Sequence, residues 1–440
     1  MSAQVGGTSW GRYPPAQQQA VWLRDRSAPL PAAEGSVLPW GNGRSYGDVC
    51  LNDGGNLLHT RGLDHFIEFD EARGVLRCEA GLLLSEILDF CVPRGWFLPV
   101  TPGTRLVTVG GAIANDVHGK NHHRAGSFGC HLRAFELLRS DGSRRRCSPD
   151  ENADWFAATI GGLGLTGVIT WAELALKRIP GPWLDTHSER FETLDEFFVL
   201  SARHNAQSEY TVAWLDCSRA GGRGLFQCAN HANAGPNGQH TGHAPPRRLA
   251  VPFTPPVALV NRLSVRTFNA LHWRRHGPAP RQATVHHQPW LYPLDGIGDW
   301  NRIYGRRGFV QYQSVVPPAA APDAIKELLR RIAASGQGSF LSVLKQFGPQ
   351  RSPGLLSFPR EGTTLALDFP MAGDKTLRLL DALDEVVAGA GGAVYPAKDA
   401  RLPAARFRQY FPGWEAFAGF VDPRFSSGFW RRVSQMEQAA

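Results

Sequence analysis

The sequence predicts an α+β protein with two domains, and three observations support that class. The chain has 440 residues, which is too long for a single compact core. Short apolar runs and turn residues alternate up to about residue 180, as they do in a domain that mixes strands and helices. Residues 179–182 then read Ile-Pro-Gly-Pro, and this break predicts a hinge to a second domain.

The first domain contains one strand and one helix with clear patterns. Residues 74–81 alternate as a strand does, and residues 85–92 have the spacing of a helix that Ser85 would cap. Residues 141–146 combine Asp-Gly with three arginines, which indicates a hairpin tip on solvated surface. Residues 162–167 match Gly-x-Gly-x-x-Gly, but a helix-like segment precedes them and a strand-like one follows. That order is the reverse of a Rossmann fingerprint, so we interpret these residues as a glycine turn.

The second domain has the pattern of a sheet covered by helices on one face. Residues 309–316 and 364–369 alternate apolar and polar side chains as strands do. Residues 323–335 and 374–390 have helical spacing and lie between such strands in the sequence.

Residues 257–276 are basic and amphipathic, and two interpretations remain open. The apolar side chains recur at helical spacing among arginines. Such a segment can rest on an anionic membrane. It can equally be a surface helix that packs its apolar stripe on its own domain. The apolar positions are Val257, Val260, Leu263, Phe268 and Leu271, and the arginines are Arg247, Arg248, Arg262, Arg266, Arg274 and Arg275.

Composition excludes several classes of protein. The formal charge of +8 favours an anionic partner, but no helix-turn-helix, RNP or zinc-finger pattern accompanies it, so no nucleic acid is predicted. The seven cysteines include no Cys-x-x-Cys pair, and His231, His240 and His243 in a Gly/Asn-rich loop lack carboxylate or thiolate neighbours. We therefore predict no disulfide and no metal. The sequence has neither a spanning segment nor a signal pattern, which favours the cytoplasm.

Two glycine-rich stretches, residues 39–48 and 102–129, carry the strongest functional indication. Glycine can adopt positive φ and lets main-chain N–H groups approach an anion closely, and we expect this of Gly103, Gly110 and Gly111. A diphosphate would fit such a nest. Together, the two stretches predict one extended cofactor that carries phosphate.

Four motifs in the same order carry a resemblance to a known family. They are GNGRSYGD at residues 41–48, PGTRLVTVGGAIANDVHGKNHHRAGSFG at 102–129, WFAATIGGLGLTG at 155–167 and YPAKD at 395–399. The chain resembles the FAD-binding oxidoreductases of the vanillyl-alcohol oxidase, or PCMH, type. The resemblance implies a two-subdomain FAD-binding domain formed by residues 1–181 and 393–440. It also implies an inserted substrate domain, residues 182–392, with a mainly antiparallel sheet covered by helices.

The same resemblance implies which residues contact FAD. Covalent members of the superfamily place a flavin-linking histidine where this chain has Arg44, so non-covalent FAD is expected. The implied cofactor residues are Pro39, Trp40, Gly41, Asn42, Gly43, Arg44, Ser45, Tyr46, Gly47, Asp48, Val49, Gly103, Thr108, Val109, Gly110, Gly111, Asn115, Asp116, Val117, His118, Val168 and Tyr395.

The resemblance further implies a catalytic group and a substrate group. Lys398 matches a lysine beside the flavin, either as a base or, as we favour from the sequence, as a protonated stabiliser of reduced flavin. Tyr46 and His118 are the other titratable candidates. The substrate residues are Tyr292, Gln311, Gln313, Lys345, Thr364 and Lys398. Thr364 and Ala366 stand where mycobacterial members carry Asn and Cys, so the pocket is expected to be reshaped.

Within this family, the motifs resemble the branch that oxidises the 2′-hydroxyl of a polyprenylphosphoryl-β-D-ribose. The product of that reaction is the 2′-keto sugar, the first half of an epimerisation to the arabinose donor of cell-wall arabinan. A separate short-chain reductase would complete it, and peripheral contact with the inner face of the membrane is compatible with the basic segment. The alternatives are an alditol or aldonolactone oxidase of the same superfamily and a non-catalytic subunit that binds flavin and the lipid-linked sugar.

Overall fold

The computed structural model describes residues 6–239, 242 and 249–434. Its first part holds a small parallel sheet in the order β1-β3-β2 and an antiparallel sheet in the order β4-β5-β9-β7-β8. The strands are β1 (Gln19–Trp22), β2 (Val37–Trp40), β3 (Asn56–His59), β4 (Phe66–Asp70), β5 (Val75–Glu79), β6 (Trp96–Phe97), β7 (Leu132–Leu138), β8 (Arg144–Cys147), β9 (Val168–Ala175) and β10 (Lys177–Arg178). The helices are α1 (Leu84–Cys91), α2 (Val109–Ala114), α3 (His122–Ala125) and α4 (Ala153–Thr159).

The second part is built on an eight-stranded sheet in the order β15-β11-β13-β12-β18-β19-β17-β20, with every neighbouring pair antiparallel. The strands are β11 (Trp183–Phe191), β12 (Tyr210–Leu215), β13 (Gly224–His231), β14 (Leu249–Ala250), β15 (Arg281–His286), β16 (Ile297–Gly298), β17 (Phe309–Val316), β18 (Ser342–Phe347), β19 (Gly362–Pro370) and β20 (Ala393–Val394). The helices are α5 (Leu194–Asn205), α6 (Arg262–Arg275), α7 (His287–Leu291), α8 (Ala321–Ser335), α9 (Asp374–Gly389), α10 (Ala404–Tyr410), α11 (Trp414–Ala418) and α12 (Gly428–Ser434).

The two faces of the large sheet have different neighbours. Because side chains alternate along a strand, Val310 and Tyr312 of β17 join the hydrophobic core under α5, α8 and α9. Gln311 and Gln313 of the same strand point to the opposite face, where they line a cavity. The sheet therefore keeps an apolar face for its helices and a polar face for the site.

The C-terminal segment returns to the first part of the chain. The Val37 N–H donates to Arg424 O at 2.7 Å, and the Asp422 N–H donates to Leu165 O at 2.8 Å. Arg432 of α12 reaches Asp48 with 2.8 Å between Nη2 and Oδ1. Residues 422–432 are thus packed against the first part of the chain, and Arg432 contacts Asp48 of the first glycine-rich stretch.

Several local predictions agree with these elements and two do not. The strands at 74–81, 309–316 and 364–369 and the helices at 323–335 and 374–390 are confirmed within a few residues. Ser85 is not the cap of α1, because it lies inside the first turn and the Glu86 carboxylate accepts from the Leu83 N–H at 2.7 Å. The predicted hairpin is present, with its turn at Asp141 and Gly142 between β7 and β8, but the three arginines at 144–146 form β8 rather than the tip.

The basic segment differs most from expectation. Its helix, α6, begins only at Arg262 and packs inward through Val265, Asn269 and Trp273. Of the predicted apolar stripe only Val260 is buried, so packing of that stripe on its own domain is wrong. His240, His243, Arg247 and Arg248 lie outside the described residues. Within the described part of the chain, no helix has both the length and the apolarity needed to cross a bilayer.

Candidate active site

One cavity of about 660 Å³ lies between the two glycine-rich stretches and the polar face of the large sheet. Of the residues implied for cofactor and substrate, most lie in its wall. They are Pro39, Trp40, Gly41, Asn42, Gly43, Arg44, Ser45, Tyr46, Val49, Gly103, Thr108, Gly110, Gly111, Asn115, Val117, His118, Val168, Tyr395, Gln311, Gln313, Lys345 and Lys398.

The first glycine-rich stretch presents open main-chain donors to this cavity. Among the described residues, no group accepts a hydrogen bond from the N–H groups of Gly41, Asn42, Gly43 or Ser45. Gly43 has a positive φ of 58°, and a Cβ on Gly41 would overlap the Thr108 hydroxyl. Buried or half-buried N–H groups without partners are costly unless a ligand accepts from them, so this loop is suited to an anion.

The second stretch is arranged differently from the prediction. Gly103, Gly110 and Gly111 do not adopt positive φ. The Gly110 N–H donates to Ala80 O at 2.8 Å, and the Gly111 N–H donates to Thr108 Oγ1 at 3.1 Å as the cap of α2. These two donors are already used by the fold. The open N–H donors are therefore those of the first stretch, and the second stretch supplies cavity wall.

Six of the implied residues lie outside the cavity wall. Gly47 abuts the main chain of Asp399. Asp48 pairs with Arg432. Val109 is completely buried in the core of the first part. Asp116 Oδ1 accepts from the Gly129 N–H at 2.8 Å, and burial raises the pKa of this carboxyl.

The remaining two stand one layer behind the wall. The Tyr292 hydroxyl donates to Thr101 Oγ1 at 2.9 Å. Thr364 Oγ1 accepts from Gln313 Nε2 at 3.2 Å. Both contacts can orient neighbouring groups, but neither residue faces the cavity directly.

Gln313 connects the sheet to the HGKNHH motif. Its Nε2 lies 2.8 Å from His118 Nε2, and an amide that donates there and to Thr364 makes His118 Nε2 an acceptor. The proton of this neutral imidazole is then on Nδ1, which is buried without a partner among the described residues. Burial holds the pKa of His118 well below its usual range. His118 is accordingly neutral, lines the cavity and carries an N–H that no described group accepts.

Lys398 stands over the ring of Tyr46, with 3.9 Å between Nζ and the ring centroid. Burial lowers the pKa of Lys398 to about 7, against an opposing effect of Asp368. From the sequence we favoured a protonated Lys398, because a lysine with its ordinary pKa is charged at pH 7. The lowered pKa removes that reason. Burial raises the pKa of Tyr46 well above 10, so Tyr46 keeps its proton at neutral pH.

Sequence reasoning missed two buried charged groups near this centre. Asp368 of β19 accepts from Gln311 Nε2 at 2.5 Å, and burial raises its pKa to about 7. Lys120 donates to the Trp290 carbonyl oxygen, and burial lowers its pKa to about 7. The position of Lys120 inside HGKNHH and the placement of Asp368 in an apolar strand were the available signals.

Lys345 of β18 supplies a second cation on the sheet side. Burial lowers its pKa to about 8, and its Nζ lies 3.5 Å from the Gly119 carbonyl oxygen. The cavity wall therefore includes three lysines, Lys120, Lys345 and Lys398, together with Gln311, Gln313 and a loop of open N–H donors. This set can hold an anionic cofactor on one side and a polar, phosphorylated substrate on the other.

The donors fit a flavin dinucleotide: a loop that can accept a diphosphate, a cavity of suitable size and a buried imidazole N–H without a partner. Residues 29–148 also match the family model described as an FAD binding domain. The fold and the site thus define an FAD-dependent oxidoreductase.

Similarity over the whole chain defines the family more narrowly. The chain is 35% identical to decaprenylphosphoryl-β-D-ribose oxidase of Mycolicibacterium smegmatis over 96% of both sequences. The chain therefore belongs to the family of this oxidase. It is also 36% identical to an uncharacterised protein from the mprA 5′ region of Streptomyces coelicolor, over 80% of this chain and 100% of that one. L-gulonolactone oxidase of Mus musculus is 31% identical over 29% of each chain.

Proposed function

We propose that this protein oxidises the 2′-hydroxyl of a polyprenylphosphoryl-β-D-ribose to the 2′-keto sugar. The reaction would be the first half of an epimerisation to an arabinose donor for cell-wall arabinan. A separate short-chain reductase would complete it. The observation that carries the proposal is the convergence of Lys345, Lys398, Gln311 and Gln313 on the cavity that is also lined by the open N–H donors of Gly41, Asn42, Gly43 and Ser45.

The first and second glycine-rich stretches would hold FAD. The N–H groups of Gly41, Asn42, Gly43 and Ser45 would donate to its diphosphate. The His118 Nδ1–H would donate to the flavin. We propose that this FAD is non-covalent, because Arg44 stands where covalent members carry the linking histidine. When bound, FAD supplies the acceptor for the two electrons that the alcohol loses.

The large sheet would orient the sugar. Amide groups suit hydroxyls because they both donate and accept, and Gln311 and Gln313 lie side by side with the same orientation on β17. Lys345 would bind the phosphate, since its stem is buried and its ammonium lies on the cavity wall. Positioning of this kind supplies much of the rate enhancement in such reactions.

Lys398 would accept the hydroxyl proton. At an ordinary pKa of 10.5 the lysine would be neutral in about one molecule in three thousand at pH 7, whereas at about 7 it is neutral in about half. Neutral Lys398 can therefore take the proton at physiological pH, and Asp368 nearby stabilises the ammonium that forms.

The proposal includes the division of the chain. Residues 1–181 and 393–440 would form the FAD-binding domain and residues 182–392 the substrate domain. The contacts of Arg424 with Val37 and of Arg432 with Asp48 support this return of the chain. Since a polyprenyl substrate resides in a lipid bilayer, the proposal also includes peripheral contact with a membrane.

The alternatives have weaker support. Similarity to L-gulonolactone oxidase is confined to under a third of the chain, which disfavours an aldonolactone or alditol oxidase. The lysines, whose pKa values burial lowers to about 7 and about 8, disfavour a decayed binding subunit.

Anaerobic flavin bleaching distinguishes these functions. Purified holoprotein is mixed with a polyprenylphosphoryl ribose, with xylitol or with gulonolactone, and the flavin absorbance is followed. Bleaching by the first compound alone is expected. Bleaching by xylitol or gulonolactone alone would contradict the proposal, and no bleaching by any of the three would indicate a binding subunit.

The mode of flavin attachment has a separate test. The holoprotein is precipitated with acid, and the colours of pellet and supernatant are compared. We expect a yellow supernatant and a colourless pellet, while a yellow pellet would show a covalent bond.

A further inference from the structure

The charged side chains of α6 itself are all basic. No aspartate or glutamate occurs between Asp216 and Asp295, although this interval contains many arginines. On α6 itself, Arg262, Arg266, Arg274 and Arg275 have no carboxylate within ion-pair distance among the described residues. A surface of this kind repels cations and attracts anions.

The outward face of α6 is apolar as well as basic. The buried side of the helix is bonded to the rest of the protein, because Asn269 Nδ2 donates to Asp216 Oδ1 at 3.0 Å. This anchoring turns Leu263 and Leu271 to solvent, and they are 75% and 61% exposed. Phe268, on the flank of the helix, is also exposed.

A second apolar segment lies beside the N-terminus of α6. Leu249, Phe253, Val257 and Leu259 are between 54% and 70% exposed. Their main chain is held in place, because Arg302 Nη1 donates to Val251 O at 2.9 Å and the Leu259 N–H donates to Ile303 O at 2.8 Å. The hydrogen-bonded main chain therefore holds these apolar side chains in exposed positions.

This surface adjoins the opening of the cavity. Phe268 and His272 of α6 line the cavity, as do His276, which follows the helix, and Ile297 and Trp300. Phe268 both lines the cavity and reaches solvent, so the cavity opens at the edge of the apolar surface. A chain that entered here would pass directly from the surface to the lysines inside.

We infer that this surface docks on an anionic lipid bilayer. The docking surface comprises Leu249, Phe253, Val257, Leu259, Leu263, Phe268 and Leu271, with the four arginines of α6 around them. The apolar side chains enter the boundary of the acyl chains, and the arginines contact lipid phosphates. Docking places the cavity opening against the bilayer, so a prenyl chain passes along Phe268 without leaving apolar surroundings. The passage of a prenyl chain rests on the proposed function, whereas the docking does not.

A protein partner fits this surface less well. Interfaces between proteins pair charges of both signs across their rims, and a second copy would bring arginine against arginine. Exposed apolar side chains beside the arginines of one helix complement the headgroups of anionic phospholipids, which are negatively charged.

Vesicle co-sedimentation of the full-length holoprotein tests the inference. The vesicles contain phosphatidylcholine alone or equal amounts of phosphatidylcholine and phosphatidylglycerol. We expect binding to the anionic vesicles, and at least about tenfold weaker binding for the double variant Leu263→Ser/Leu271→Ser. The matched control is Val199→Ser/Leu355→Ser, because these side chains are also exposed but lie away from α6. It should bind as the original protein does.

The outcomes separate docking from the proposed chemistry. Failure of the original protein to bind anionic vesicles, or equal loss in both double variants, would overturn the inference. The inference would also be overturned if Leu263→Ser/Leu271→Ser still bound anionic vesicles but no longer self-associated or no longer bound the reductase. In that case the surface would be a protein interface. Flavin bleaching by a short-chain, water-soluble phosphoryl ribose should be unchanged in this variant. If vesicles bind but no prenylphosphoryl ribose bleaches the flavin, docking stands and the proposed function fails.

Discussion

The electrostatic coupling between Asp368 and Lys398 can be tested by the substitution Asp368→Asn. Asp368 is buried on β19 and accepts a hydrogen bond from Gln311 Nε2 at 2.5 Å. Burial lowers the pKa of Lys398, and the Asp368 carboxylate raises it in part. Asparagine has nearly the same size and can still accept from Gln311, but it carries no charge. The substitution therefore lowers the pKa of Lys398 further.

The size of this change follows from the pair. A carboxylate close to a lysine shifts its pKa by about 1 to 3 units. Because Asp368 itself has a pKa of about 7 and is only partly ionised there, we expect the lower end, about one unit or about 1.4 kcal/mol. If neutral Lys398 is the base, flavin reduction increases with pH to a midpoint near 7. In Asp368→Asn this midpoint should lie about one unit lower.

The measurement is anaerobic stopped-flow reduction of the flavin at saturating substrate, from about pH 5 to about pH 9. Asp374→Asn is the control, because this carboxylate is exposed on α9. An unchanged midpoint in Asp368→Asn would refute the coupling. A rate that falls above pH 7 in the original protein would refute the base role and would restore the protonated stabiliser.

Three further predictions concern the lysine, the loop and the C-terminal segment. Lys398→Ala should lower flavin reduction by about 10²- to 10⁴-fold with FAD still bound, and unchanged turnover would exclude its role. Gly41→Ala should lose FAD on gel filtration, because its Cβ would overlap a threonine hydroxyl, whereas Gly221→Ala, which has open space, should keep it. Arg432→Met should lower the free energy of unfolding in urea by about 3 kcal/mol, because two buried carboxylates lose their partner, and an effect no larger than that of Arg378→Met would contradict this.

Local periodicity of the sequence was sufficient to predict strands of the large sheet. Residues 309–316 form β17 with the predicted bounds, and the alternation of their side chains already separated Gln311 and Gln313 from Val310 and Tyr312. The sequence could not show which face would meet the cavity. That choice depends on β18 and β19 beside β17 and on the first part of the chain, which are contacts between distant residues.

The sequence predictions were wrong mainly where they depended on which groups would accept hydrogen bonds. Glycine spacing correctly marked residues 102–129 as unusual, but it did not show that Ala80 and Thr108 accept from Gly110 and Gly111. The prediction that the apolar stripe in residues 257–276 packs on its own domain was wrong for a related reason. Periodicity marks apolar positions, yet Val265 and Trp273, rather than Leu263, face the rest of the protein. The composition of the segment offered no way to choose between these faces.

The position of Lys398 is linked to the loop proposed to hold FAD. The Tyr46 N–H donates to the Ala397 carbonyl at 2.9 Å, and Lys398 rests on the ring of Tyr46. Arg432 Nη2 lies 2.8 Å from Asp48 Oδ1 and 3.0 Å from Asp399 Oδ2, so it joins the residues that follow Tyr46 and Lys398. Movement of the loop that we propose to bind the diphosphate would therefore move the lysine as well. For this reason we expect Arg432→Met to weaken FAD retention and flavin reduction together, although Arg432 lies outside the cavity wall.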